Sequence, residues 1–212
     1  MRLVEDLGKL RAQFLIITGD GRMELKIFRA LPEKYNGKNL ILFFPFPPRS
    51  RKTGLNALNT LKDYKSDRIN SIIYIVDGDT FEGESADVEV QKHLKSIGID
   101  IINITPIREA FLIKCRSGDQ EIFLYCVIVG PKTFIEEEIA KLIELKLRKK
   151  IDLSGNRDNN WKKRVKKDVI QTLRENKVKL EELIKNTGFM KLEASFPNIC
   201  AVLKKIEDDY RL

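Results

Sequence analysis

Three short runs of uninterrupted apolar residues constrain this chain most: Phe14-Leu15-Ile16-Ile17, Leu40-Ile41-Leu42-Phe43-Phe44 and Ile72-Ile73-Tyr74-Ile75-Val76. Runs this short suit strands better than helices, and none alternates with polar residues. A strand with one wet face alternates, so a strand that is apolar throughout is buried on both faces. Amphipathic stretches separate the runs. Met23 to Leu31 carries Leu25, Phe28 and Leu31 on one helical face and stops before Pro32. Leu55 to Tyr64 repeats the pattern with Leu55, Leu58 and Leu61, and Val88 to Ile97 ends at Gly98. A fourth run, Ile99 to Ile104, is closed by Thr105-Pro106. Buried strands alternating with helices predict an α/β fold, a Rossmann-like parallel sheet flanked by helices.

The pattern changes after residue 106. Ala110 to Cys115 and Glu121 to Val129 flank a turn-rich Arg116 to Gln120, which predicts a hairpin added to the sheet. Beyond Gly130-Pro131 the spacing is helical. Thr133 reads as the N-cap of a helix to Lys150, with Glu136, Glu137 and Glu138 in its first turns and Arg148 to Lys150 at its end, matching the helix dipole. A polar loop, 152–160, precedes helices at about Trp161 to Glu175, Lys179 to Lys185 and Pro197 to Tyr210. The expected division is an α/β domain over 1–130 and a basic helical extension over 131–212.

Charge is distributed unevenly. The stretch Lys146 to Lys179 holds thirteen Lys or Arg against four Asp or Glu, so the whole net charge of +8 lies in this block and the remainder is close to neutral. A basic block of this kind predicts contact with a polyanion, nucleic acid above all; a solvated helix face is the plainer reading. No run approaches the roughly 18 apolar residues of a membrane span, so no membrane partner is expected. The charged, amphipathic start MRLVEDLGKL is unlike a signal peptide. Cys115, Cys126 and Cys200 are scattered in apolar surroundings, which predicts buried thiols in a reducing, cytoplasmic compartment. Plentiful Lys, Ile and Glu with scarce Gln suits a thermophile. His93 is the single histidine and has no second ligand near it in sequence, so chemistry would run on carboxylates, lysines and arginines.

Ligands of parallel α/β sheets bind at the carboxyl ends of strands. Thr18-Gly19-Asp20-Gly21-Arg22-Met23-Glu24 follows the first apolar run, and Asp77-Gly78-Asp79-Thr80-Phe81-Glu82-Gly83 follows the third. Arg49, Arg51 and Lys52 follow the second. If the first and third strands are neighbours, Asp20, Asp77 and Asp79 converge. Carboxylates that close repel one another unless a cation lies among them, and oxygen ligands select Mg²⁺ or Mn²⁺. A dinucleotide fingerprint is unsupported, because Glu24 replaces the last glycine of GxGxxG; Arg51-Lys52-Thr53 lacks the glycines of a P-loop.

These motifs resemble the Toprim domain of topoisomerases, bacterial primases and nucleases of the overcoming-lysogenization-defect type. The E-G-x-x-D/E element of that family corresponds to Asp20-Gly21-Arg22-Met23-Glu24, and its D-x-D element to Asp77-Gly78-Asp79. Leu25 to Leu31 also resembles the helix of small stand-alone Toprim proteins, and the likeness spans about residues 12 to 130. The resemblance implies a metal site of Asp20, Asp77 and Asp79, with Glu82 as an extra ligand because Gly83 lies one residue later than in the family. It also implies proton transfer by Asp20 or Glu24. Asp20 is a methylene shorter than the family glutamate, and an alternative alignment puts Thr18 at that position.

The leading expectation is Mg²⁺-dependent phosphoryl transfer on nucleic acid, nuclease-like, with Asp20, Glu24, Asp77 and Asp79 as catalytic residues. Arg49, Arg51, Lys52, Lys162, Lys163, Arg164, Lys166 and Lys167 would contact the nucleic acid. Trp161 reads as a core anchor, with base stacking as the alternative. The second expectation is a non-catalytic metal- and nucleic-acid-binding subunit of DNA or RNA processing, as a homodimer or within a larger complex. A receiver-like signalling domain also gathers acids at strand ends, but Pro106-Ile107-Arg108 offers no lysine where that fold needs one.

Overall fold

The computed structural model describes residues 1–8, 10–18, 21–36, 39–45, 52–67, 69–81, 83–130 and 134–210, with backbone alone for 62–67. Asp20, Arg49, Arg51, Glu82 and the expected N-cap Thr133 lie outside the described residues.

The protein is an α/β fold with a seven-stranded, mostly parallel sheet flanked by helices, Rossmann-like as the apolar runs predict. Its strands are β1 (Arg2–Val4), β2 (Phe14–Ile17), β3 (Ile41–Phe43), β4 (Ser71–Asp77), β5 (Asp100–Ile107), β6 (Ala110–Ser117) and β7 (Gln120–Val129). They lie in the order β1-β3-β2-β4-β7-β6-β5. The first five in that order are parallel; β6 and β5 complete the sheet as antiparallel partners. The hairpin β6–β7 is an integral part of the sheet, because Phe123 to Val129 of β7 pair with the whole length of β4.

Alternate residues of the central strands feed two cores. Phe14, Ile16, Ile73, Ile75 and Val127 face one cluster; Leu15, Ile17, Ile72, Tyr74 and Val76 face the other. Each fully buried Leu, Ile or Phe contributes about 1.5–3 kcal/mol relative to exposure. The first face is covered by α1 (Arg22–Phe28), α3 (Ile135–Leu147), α4 (Asn159–Glu175), α5 (Leu180–Lys185), α6 (Phe189–Ser195) and α7 (Pro197–Asp209). The second is covered by α2 (Ala86–Ser96) and by Gly54–Asp67, which is a 3₁₀ helix rather than the α-helix its Leu55, Leu58 and Leu61 spacing predicts. Three-residue spacing suits three residues per turn as well as 3.6.

Two elements differ from expectation for physical reasons. Ile99 to Ile104 reads as a buried strand, yet β5 is the antiparallel edge, exposed at Asp100, Ile102, Asn103, Thr105 and Pro106. Pro106, which cannot donate a ladder hydrogen bond, and a register irregularity between Ile101 and Asn103 protect that edge from further pairing. The opposite edge, β1, comes from the start that reads as amphipathic; three residues are too few for a strand period to be visible.

The basic helix α4 is seated by Trp161, Val165, Val169 and Leu173, all buried at intervals of four residues. Asp158 caps it, its Oδ1 accepting the N–H groups of Asn160 at 2.9 Å and Trp161 at 2.8 Å. Trp161 is a core anchor: its ring meets Phe134 edge-on at 5.5 Å, and its Nε1–H donates to the Ser154 carbonyl at 3.1 Å.

The passage from β7 into α3 turns on Gly130, at φ +53°. A Cβ there would lie 2.2 Å from the Phe134 carbonyl oxygen and 2.5 Å from its nitrogen. Gly130→Ala is expected to destabilise the fold by about 3 kcal/mol or more. Gly118→Ala has the same kind of φ (+61°) but open space around the new Cβ, and should cost about 1–2 kcal/mol. Urea unfolding of the two variants separates the steric contribution from the conformational one.

Candidate functional site

β2 and β4 are adjacent and parallel, with Ile17 opposite Tyr74, so the segments that follow them emerge side by side. Thr18 follows β2 directly, and Glu24 lies in the first turn of α1. The Thr18 hydroxyl donates to Glu24 Oε1 at 3.1 Å, and both residues are buried. Asp77 is the last residue of β4; Asp79 sits on the 3₁₀ turn Gly78–Thr80. A cleft of about 180 Å³ opens here, with Thr18, Glu24, Thr53, Asp77, Thr80 and Glu136 among its walls.

Asp77 carries the electrostatics of this cleft. Its Oδ1 accepts the N–H of Ile135, the first residue of α3, at 3.2 Å. Helix-terminal N–H groups favour an anion. Even so, its pKa is pushed up to about 7, first by burial and then by the negative charges of Glu24 and Glu136. The Ile135 N–H and the Lys162 ammonium oppose that rise without cancelling it.

The counter-charges come from α4. Lys162 pairs with Asp79, and Lys166 pairs with Glu136 at 3.4 Å. Of the basic residues the sequence singles out, Lys162 and Lys166 therefore meet the acids, whereas Lys163 and Lys167 are exposed and make no ion pair among the described residues. Arg164 is held by Asp152 at 3.3 Å and by the Ser154 carbonyl. Lys52 is exposed immediately before Thr53, a residue of the cleft wall.

The structure thus gathers Glu24, Asp77, Glu136 and Lys166 on one cleft, with Lys162 near enough to act on Asp77; Asp79 is not among the cleft walls and is tied to the group through Lys162. Sequence reasoning missed Glu136. Its place in the first turn of α3 has a sufficient local explanation in the helix dipole, and only the docking of α3 against β4 turns it toward Asp77. Among the described residues, no three His, Cys, Asp or Glu side chains form a group compact enough to hold a metal ion by themselves. His93 accounts for itself elsewhere, hydrogen-bonded to Asn59 at 3.0 Å. All three thiols are free and buried.

A second buried acid lies one turn along α3. Glu138 Oε1 accepts the Gly130 N–H at 3.1 Å, while its Oε2 has no hydrogen-bond partner. Burial pushes its pKa up to about 8. Compared with family models, with curated proteins and with solved structures, the chain has no match.

These two acids set a pH dependence. In the unfolded chain they ionise near their ordinary values, 3.8 for Asp77 and 4.5 for Glu138. The folded protein keeps both protons to about pH 7 and 8, so unfolding in between releases protons and stability falls as pH rises. Urea unfolding should show a loss of about 1 kcal/mol or more per unit between pH 5 and 7. Glu138→Gln, which cannot ionise, should roughly halve that slope and nearly abolish it between pH 7 and 8.

Proposed function

We propose that this is a Toprim-type protein of the cytoplasm that carries out Mg²⁺- or Mn²⁺-dependent phosphoryl transfer on nucleic acid, nuclease-like in its chemistry. The observation that carries the reading is the meeting of Glu24, Asp77 and Glu136 in one cleft at the carboxyl ends of two adjacent parallel strands, beside the basic helix α4, whose Lys166 lines the same cleft. Carboxylate oxygens are the donor type a hard divalent ion takes; the described side chains do not complete a site by themselves, so Asp20 and Glu82 would have to contribute. The raised pKa of Asp77 reflects its burial first and the negative charges of Glu24 and Glu136 second. Asp77 and Asp79 would hold the metal, together with Asp20 and Glu82, which the sequence places in the two connecting segments. Such an ion would supply Lewis acidity toward a phosphate and a water of lowered pKa.

The chain's own residues have distinct tasks in this scheme. Asp77 has its raised pKa without metal; a bound divalent ion would pull that pKa down and hold the carboxylate ionised as a ligand, leaving proton transfer to Asp20 or Glu24. Glu24 is oriented by the Thr18 hydroxyl. Lys163 and Lys167 lie one turn apart on the exposed side of α4, where they would meet successive phosphates; Lys52, with Arg49 and Arg51 before it, would do so from the segment after β3. A non-catalytic metal- and nucleic-acid-binding module is the second reading, favoured by the pairing of Lys162 with Asp79, which already neutralises one acid.

Labelled DNA and RNA incubated with Mn²⁺ or Mg²⁺ decide between the two. Asp77→Asn should reduce metal-dependent cleavage at least about a hundredfold. It should also raise stability above pH 7, because it removes a carboxylate crowded by Glu24 and Glu136. Absence of metal-dependent product from the wild-type protein at any enzyme concentration selects the binding module. In either case, Lys163→Gln with Lys167→Gln should weaken binding to all sequences alike and reduce the salt slope of log affinity by about 2.

A further inference from the structure

A second cleft, of about 480 Å³, shares no lining residue with the first. It lies where α3, the segment 151–157, α6 and the start of α7 come together beside the Gly130 turn. Ala140, Ile151, Leu153 and Pro197 give it apolar walls. Lys141, Glu144 and Arg157 are exposed and Glu137 is half-buried, so its other charged groups stand toward solvent. Glu138 differs from them: it lines the same cleft, yet it is only 5% exposed. Its Oε1 is engaged by the Gly130 N–H, and its Oε2 has no hydrogen-bond partner among the described residues. Neighbouring polar groups are already used. The Ser195 hydroxyl donates to the Lys191 carbonyl at 2.8 Å, and Arg157 pairs with Glu137 at 3.4 Å and leans over the Trp161 ring. A buried carboxyl oxygen without a partner is costly, and native proteins keep few of them.

We propose that this cleft binds a small organic amine, whose ammonium group pairs with Glu138 and whose apolar body lies against Ala140, Ile151, Leu153 and Pro197. Charge favours a cation. Three acids, Glu137, Glu138 and Glu144, line the cleft with two bases, Lys141 and Arg157, so a ligand with one positive charge balances the set. Asp77, from β4, adds negative charge at Glu138, Lys141 opposes it, and the nearby Cys200 thiol of α7 is kept neutral by burial. An ammonium brings N–H donors for the free oxygen, and hydrogen bonds between charged partners are the strong ones. Burial holds a proton on Glu138 up to about pH 8; the ammonium takes the place of that proton, which leaves to solvent. The volume falls within the roughly 300–1,000 Å³ of ordinary small-molecule sites. This site is independent of the phosphoryl-transfer reading of the first cleft.

The test uses the full chain at pH 8, with benzylamine as the probe and benzyl alcohol as its neutral counterpart. Each is titrated while backbone amide shifts are followed by NMR. Benzylamine should bind the wild type with a Kd of about 1 mM and shift the amides of residues 130, 138–144 and 194–197. Benzyl alcohol should bind at least about tenfold more weakly. Glu138→Gln should lose at least about tenfold in benzylamine affinity and leave benzyl alcohol unchanged. Ala194→Trp, at an exposed position of the cleft wall, fills space without touching the acid and should weaken both probes. The comparison of the two probes on the wild type, and Ala194→Trp, keep the test decisive if Glu138→Gln fails to fold. Equal affinity for the two probes, or benzylamine binding indifferent to Glu138→Gln, overturns the pairing of an amine with Glu138. No benzylamine binding by the wild type, shifts confined to other residues, or binding indifferent to Ala194→Trp overturns the site.

Discussion

Burial of like charge at the end of β4 is the constraint on which the rest of the site depends. Asp77 is drawn into the protein with Glu24 and Glu136 close by, and burial plus repulsion raises its pKa to about 7. A protein tolerates such a group only with compensation. Here it has three forms: the N–H of Ile135 at the start of α3, the hydroxyl of Thr18 directed at Glu24, and the lysines of α4. Each comes from a different element, so the cleft holds together through the tertiary structure. The helix that appears in sequence as a basic appendage is, in the fold, the partner of the acids.

The sheet makes this arrangement possible. Its central strands are buried on both faces, so their carboxyl ends are rigidly placed, and the pairing of β2 with β4 sets their following segments side by side. The insertion of β7 next to β4 matters as much. It delivers the chain, through Gly130, to the start of α3 beside Asp77. The hairpin is thus both a structural completion of the sheet and the route by which Glu136 enters the site.

Much of the fold was legible because burial on two faces leaves a direct imprint on composition. Phe14–Ile17 and Ser71–Asp77 could be located as strands, and the acids after them as neighbours if those strands paired. Trp161 was legible as an anchor because Val165, Val169 and Leu173 continue its stripe. β1 and α6 were not legible, being three and seven residues long and stabilised by what they touch. β5 was misread because an edge strand with isoleucines has the same composition as a buried one. Among the site residues, Glu136 was hidden by an adequate local explanation, and the pairing of Lys162 and Lys166 by the distance in sequence from their partners.

The sequence by itself determined the α/β class, the buried strands, the acidic segments at two strand ends and the concentration of positive charge in the block from Lys146 to Lys179. These are local properties, written in periodicity and composition. The tertiary structure alone decided that β2 and β4 are neighbours, that β7 lies inside the sheet, and that α4 turns two of its lysines toward the acids and leaves two facing solvent. Those outcomes depend on which apolar faces find one another across long stretches of chain. The energy of that choice lies in packing between elements, which no single segment encodes.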